Sequence, residues 1–180
     1  MLYMFIAQGF EEVEAIAAAD VLRRAGVETL LVGVGSKSVT GSHGFTVECD
    51  ITDSEISLDS ALQGVILPGG MPGTLNLENN KTVIETVGYC AENGKLVSAI
   101  CAAPSILGHL GLLDGKKATC FPGFEKDLHG AVVNGDFVCT DGNYITAKGM
   151  GSAVKFGLAI AAYFVGAEKA ASLEATLQCS

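Results

Sequence analysis

The chain has 180 residues, 49 % of them hydrophobic and 17 % charged. That excludes intrinsic disorder and suits one domain, residues 1–180, that buries roughly 70 % of its unfolded surface without a disulfide or metal staple. Acidic residues outnumber basic ones, 20 to 11, and Trp is absent, so no nucleic acid is expected as a partner: the field repels polyanions and no stacking platform stands out. Mean hydropathy is positive, yet the longest apolar run, 156–165, is about half of the ~20 residues a membrane helix needs.

Residues 1–6 are apolar without a basic flank or cleavage site. They read as part of a first strand, 2–7, rather than a signal peptide, which points to the cytoplasm. Residues 11–25 form an Ala-rich helix with acids at its start, Arg23 and Arg24 at its end and Gly26 as its stop, as the helix dipole favours. A second strand follows at 27–34, then a short strand at 44–48 and a polar loop at 50–62 with room for a helical turn.

A buried strand at 64–68 runs into Gly69-Gly70. A helix at 81–92, closed by Asn93-Gly94, leads to a buried strand at 96–100 and a helix at 103–110. Residues 118–120 form a short strand, 136–148 a hairpin around Asp141-Gly142-Asn143, 151–165 a helix and 168–177 a shorter one. Continuous apolar strands alternating with amphipathic helices specify a three-layer α/β/α sandwich on a mostly parallel, doubly wound sheet. Such sheets bind ligands beyond the carboxyl ends of their strands, here at 7–14, 68–73 and 100–104.

Six cysteines, at 49, 90, 101, 120, 139 and 179, include no C-x-x-C and none at ligand spacing from a His, so no metal site is expected and free thiols are the default. Cys101 stands out. A buried strand ends there between Ala99 and Ala103, and a helix with Pro104 in its first turn follows. This is the layout of a nucleophile elbow, and a helix N-terminus favours thiolate; a buried structural cysteine at a strand–helix junction is the alternative. Backbone N–H groups of Gly70 and Ala102 would form an oxyanion hole if the two strand ends are neighbours, although a Gly-Gly pair is also simply a turn. Glu11 and Glu14 share a helix face while Glu12 points elsewhere. Acids there serve the dipole, or, buried against a thiol, acquire a raised pKa and donate a proton to sulfur. His109, eight residues past Cys101, is too far along its helix to act as its base; His43 and His129 lie in loops.

Taken in register, Gly9-Phe-Glu-Glu-Val-Glu14, Val65-Ile-Leu-Pro-Gly-Gly70, Ala99-Ile-Cys-Ala-Ala-Pro104, Thr146-Ala-Lys-Gly-Met-Gly-Ser152 and Phe156-Gly-Leu-Ala-Ile160 resemble the DJ-1/ThiJ/PfpI superfamily, and within it the DJ-1-like branch. The resemblance spans nearly the whole chain. It implies a flavodoxin-like sandwich, usually a homodimer, with Cys101 as nucleophile, Glu14 as its protonated partner and Gly69, Gly70 and Ala102 around them. It also implies cofactor-independent action on a small 2-oxoaldehyde or glycated adducts, of glyoxalase or deglycase type. The alternative it carries is an oxidative-stress sensor or chaperone-like protector in which Cys101 is oxidised. Ala102 stands where the protease-like branch has His, which argues against a peptidase. Phe121-Pro122 stands where many DJ-1-like members have His-Pro, and Lys148 where some have Arg.

Overall fold

The computed structural model describes residues 1–178; Cys179, the sixth thiol, lies outside the described residues. The elements run β1 (Leu2–Ile6), α1 (Glu12–Arg24), β2 (Thr29–Gly33), β3 (Ser38–Thr40), β4 (Thr46–Glu48), β5 (Ile51–Thr52), β6 (Gly64–Leu67), α2 (Gly73–Glu78), α3 (Lys81–Glu92) and β7 (Leu96–Ile100). After these come α4 (Pro104–His109), β8 (Lys117–Ala118), β9 (Val132–Val133), β10 (Val138–Asp141), β11 (Tyr144–Ala147), α5 (Ala153–Val165) and α6 (Ala167–Thr176).

Seven strands form the central sheet in the order β10-β11-β7-β6-β1-β2-β5. All neighbours are parallel except the β10–β11 hairpin. The chain leaves β1 toward β2 and β5 on one side, then returns to add β6, β7, β11 and β10 on the other, so the winding reverses between β1 and β6. That is the doubly wound arrangement the strand pattern specifies, and it places the binding crevice at the reversal.

The strand period of two divides the core. Leu2, Met4 and Ile6 of β1 join Ile66, Ile100 and Ile145 beneath α1 and α5, against Ala15, Ala18, Leu22, Phe156 and Ile160. Tyr3, Phe5 and Ala7 face the opposite layer with Val65, Leu67, Val97 and Ala99, against Val83, Val87, Ile106 and Leu107 of α3 and α4. Small residues draw α5 close to α1: a Cβ added at Gly157 would sit 3.0 Å from Val21 Cβ. This contact holds α1, and with it Glu14, against the carboxyl end of the sheet.

Several boundaries differ from the sequence reading. The 50–62 loop forms no helix, only single turns closed by Glu55 N–H on Thr52 O and Leu62 N–H on Asp59 O; it also contributes edge strand β5, which pairs with β2. Strand β4 pairs with β3, a three-residue partner too short to show a period. The short strand near 118 pairs with β9 outside the central sheet. Helix α2 follows the glycine turn unannounced, because its Gly start and mixed composition give no helical stripe. No described helix is long and apolar enough to cross a membrane.

Candidate active site

The carboxyl ends of β6 and β7 are neighbours, in register from Gly64↔Leu96 to Leu67↔Ala99. The chain leaves β7 into Cys101, whose φ of 65° is left-handed, a conformation that strains a residue bearing a Cβ and concentrates at functional sites. The turn is pinned from both sides. Cys101 N–H donates to Ala147 O at 2.9 Å, and Cys101 O accepts from Phe121 N–H at 2.8 Å. Ala99 and Ala103 on its flanks are fully buried, so larger side chains would force the elbow open.

Glu14 arrives from the first turn of α1. Glu11 caps that helix, accepting from Glu14 N–H at 2.7 Å. Glu11 N–H in turn donates to Gly69 O at 2.9 Å, and Gly69 N–H donates to Glu14 Oε2 at 3.0 Å. The Glu14 side chain is therefore clamped against the glycine turn, and the residue is 1 % exposed. Its other oxygen, Oε1, is buried without a hydrogen-bond partner of good geometry; the groups acting on this carboxyl include the Cys101 thiol and Met150 N–H. A carboxyl proton on Oε1, or a thiol proton donated to it, would each give this atom a partner.

Gly69 has to be glycine: a Cβ there would lie 2.5 Å from Cys101 Cβ and 2.7 Å from Glu14 Oε2. Gly70, with φ of 92°, presents its N–H to the Cys101 sulfur together with that of Ala102. Cys101, Glu14, Gly69, Gly70 and Ala102 thus meet at one point. Gly69 N–H, however, is engaged by Glu14, leaving Gly70 and Ala102 as the donors beside the sulfur. His109 pairs with Glu78, and His43 with Glu12 at 3.0 Å. Gly149 and Met150 close the site behind Glu14; local sequence marks them only through the Thr146–Ser152 stretch.

Burial raises the Glu14 pKa to about 7, with the charge of Glu11 adding to it and contacts from Cys101, Gly69 and Met150 opposing it. Burial also pushes the Cys101 thiol up to about 12, helped by the Glu14 charge and hydrogen bond and opposed by the Ala102 and Gly70 N–H groups. The thiolate expected from a helix N-terminus does not arise by the dipole: α4 has six residues and begins three residues beyond Cys101. The two groups titrate as a pair, losing one proton near pH 7 and the second far higher.

The DJ-1/PfpI family model matches residues 1–163. The chain is 36 % identical to protein dj-1beta of Drosophila melanogaster over 169 residues, covering 92 % of this chain and 90 % of that protein. It is 36 % identical to protein DJ-1 homolog B of Arabidopsis thaliana over 96 % of its own length, but spans only 40 % of that longer relative. It is 33 % identical to deglycase PYRAB04690 of Pyrococcus abyssi, covering 79 % of this chain and 86 % of that one. Among solved structures, oxidized Toxoplasma gondii DJ-1 superposes with a TM-score of 0.93 at 30 % identity, covering 98 % and 97 % of the two chains.

The buried carboxyl has a consequence for folding. Its folded pKa, about 7, lies above the ordinary 4.5, so its contribution to stability is complete below about pH 4.5 and is lost as pH rises through 7. At roughly 1.4 kcal/mol per unit the loss is on the order of 3 kcal/mol. Glu14→Gln keeps an acceptor for Gly69 N–H and removes the charge. Denaturant unfolding of this variant is expected to show a gain of about 2–3 kcal/mol over the native protein at pH 8, shrinking to little at pH 5.

Proposed function

Because the chain belongs to the DJ-1/PfpI family, we propose that it is a cytoplasmic, cysteine-dependent enzyme acting on reactive carbonyls. Its substrates in this reading are 2-oxoaldehydes such as methylglyoxal, or their early glycation adducts. The observation that carries the reading is the buried Glu14 carboxyl, with an orphaned oxygen and a pKa near neutrality, set against a cysteine on a strained elbow.

Above pH 7 the Glu14 carboxylate takes the thiol proton as sulfur attacks the aldehyde carbon. The S–C bond forms, and the carbonyl π pair moves to oxygen, where the Gly70 and Ala102 N–H groups stabilise it. Glu14 returns its proton to that oxygen, giving a hemithioacetal. Glu14 next removes the proton on C1, giving an enediolate. The C1 hydroxyl proton passes to the C2 oxygen, and Glu14 delivers its proton to C2 as the C1–O bond becomes the carbonyl of a 2-hydroxy acid thioester. Water hydrolyses the thioester and restores the thiol. C1 is oxidised as C2 is reduced, so the net reaction consumes one water and needs no external electron carrier.

A second reading is favoured by one feature: Phe121, not an imidazole, flanks the elbow, so Glu14 is the one carboxyl or imidazole among the described residues that is set directly against Cys101. In that reading Cys101 is oxidised and Glu14 donates a hydrogen bond to the new oxygen; a relative whose structure is described as oxidized supports it. Measuring lactate formed from methylglyoxal separates the two. The enzyme reading predicts turnover that falls to background in Cys101→Ala and by about 10²–10⁴-fold in Glu14→Gln. Full turnover in Cys101→Ala contradicts it, and selective peroxide oxidation of Cys101 with no turnover supports the sensor.

The same reading includes a homodimer. Val13, Ile16 and Ala17 form a stripe along α1 that continues into Phe45 and Val47, and Phe45 is 70 % exposed. An apolar face of this kind on a charged chain suits a second copy. Ile16→Glu is expected to shift the protein from dimer to monomer in sedimentation velocity; an unchanged dimer would place the interface elsewhere.

A further inference from the structure

Next to the Cys101–Glu14 pair lies an open cleft of about 330 Å³ with walls from Phe121, Phe137 and Met150 and one cation, Lys148. The three apolar side chains are 47 %, 62 % and 55 % exposed, and they converge on this one place. Phe137 is held there by its backbone, whose carbonyl accepts from Lys148 N–H at 3.0 Å, while the Lys148 ammonium lies 5.8 Å from the Phe137 ring centre. Large apolar side chains left in water around a concave surface mark a place where ligand surface is removed from water.

The cleft adjoins the reacting atoms. Phe121 N–H holds the carbonyl of Cys101. A Cβ position on Gly149, at the cleft floor, would be 3.2 Å from Phe121 Cδ2 and 3.8 Å from Glu14 Oε1. The aromatic wall and the proton-carrying oxygen therefore lie within one small substituent of each other. For a carbonyl carbon held on sulfur, this cleft is the adjoining open space available to what it carries on its far side. The methyl group of methylglyoxal leaves most of that space unfilled, whereas a cavity of ~150 Å³ already accepts a benzene ring.

We propose that this cleft is a subsite for the substituent of the carbonyl substrate, and that Phe121, Phe137 and Met150 select aryl or bulky alkyl 2-oxoaldehydes over methylglyoxal. The assignment rests on the carbonyl-enzyme reading given above and names its substrate class. Phe121, where an imidazole would offer a proton, supplies ring surface instead: this site exchanges a second acid–base group for a hydrophobic contact. Ring stacking on Phe121 and Phe137, with the Lys148 cation at the edge, is the recognition chemistry.

The test compares phenylglyoxal with methylglyoxal as substrates of the native protein and of Phe121→Ala and Phe137→Ala. Both residues are exposed, and alanine retains the backbone hydrogen bonds, so the variants fold. The native protein is expected to favour phenylglyoxal in kcat/KM by about tenfold, mainly through KM, and each variant to lose most of that ratio. Turnover of both compounds at equal kcat/KM, or a preference untouched by either variant, overturns the subsite and leaves the enzyme reading intact.

If neither compound is turned over, the enzyme reading fails on its own, and alkylation decides the subsite. The rate ratio of N-phenyliodoacetamide to iodoacetamide at Cys101, normalised to glutathione, is then expected to exceed one and to fall in both variants. A ratio of one overturns the subsite.

Discussion

The structure depends on the removal from water of a single carboxyl group. Glu14 enters from α1 and is fixed by one hydrogen bond from Gly69, with its second oxygen shut in against Cys101. Desolvation makes its charge expensive near neutrality, and the thiol alongside is equally reluctant to ionise. The Glu14 charge opposes ionisation of the thiol, whereas the thiol's hydrogen bond favours the Glu14 carboxylate, so above about pH 7 the carboxyl is the group that carries the charge and the thiol keeps its proton. In the proposed reaction, a proton exchanged between these two groups is what would let a weakly acidic thiol act as a nucleophile without a histidine.

The rest of the fold supplies this geometry. The reversal of winding between β1 and β6 opens the crevice, and the parallel pairing of β6 with β7 brings the glycine turn beside the elbow. Strain at Cys101 is paid for by the bonds to Ala147 and Phe121 on either side. The absence of a Cβ at Gly69 allows sulfur, carboxyl and backbone to occupy one small space. Beyond it, Phe121 and Phe137 turn the far wall from a polar surface into an apolar one. Cys101, Glu14 and the apolar wall are thus contributed by different elements, the end of β7, the first turn of α1 and the loops around β8, β10 and β11, so the wall can vary without disturbing the pair.

Much of this was legible in the residues. The uninterrupted apolar runs of β1, β6 and β7 show a sheet covered on both faces, and the sandwich follows from them. Helix α3 was readable to the residue because Asn80 caps it and Asn93-Gly94 ends it. Cys101 stood out through its small neighbours, Ala99 and Ala103. What was illegible is of two kinds. Two- and three-residue strands such as β3, β5 and β9 carry no period, since their pairing is decided by where larger elements bring them. Half of the site's proton balance is legible in the sequence: an acid buried against a thiol is raised, as Glu14 is. The other half is not: a thiol before a helix suggests a low pKa, but α4 is short, and burial beside Glu14 acts in the opposite direction. The cleft also escaped notice, because residues 121, 137 and 150 are distant in sequence and meet only through folding.

The central claim is that Glu14 and Cys101 share a proton, and the pH profile of Cys101 alkylation tests it most directly. Peptide mass spectrometry of native protein and Glu14→Gln, treated with iodoacetamide across the pH range, resolves this thiol from the other cysteines. The account predicts reactivity that rises through about pH 7 in the native protein, as the pair loses its first proton. In Glu14→Gln the rise moves above the ~8.5 of an ordinary thiol, because burial remains and the proton acceptor is gone. The same midpoint in both proteins, or an ordinary thiol profile in the native one, would contradict it.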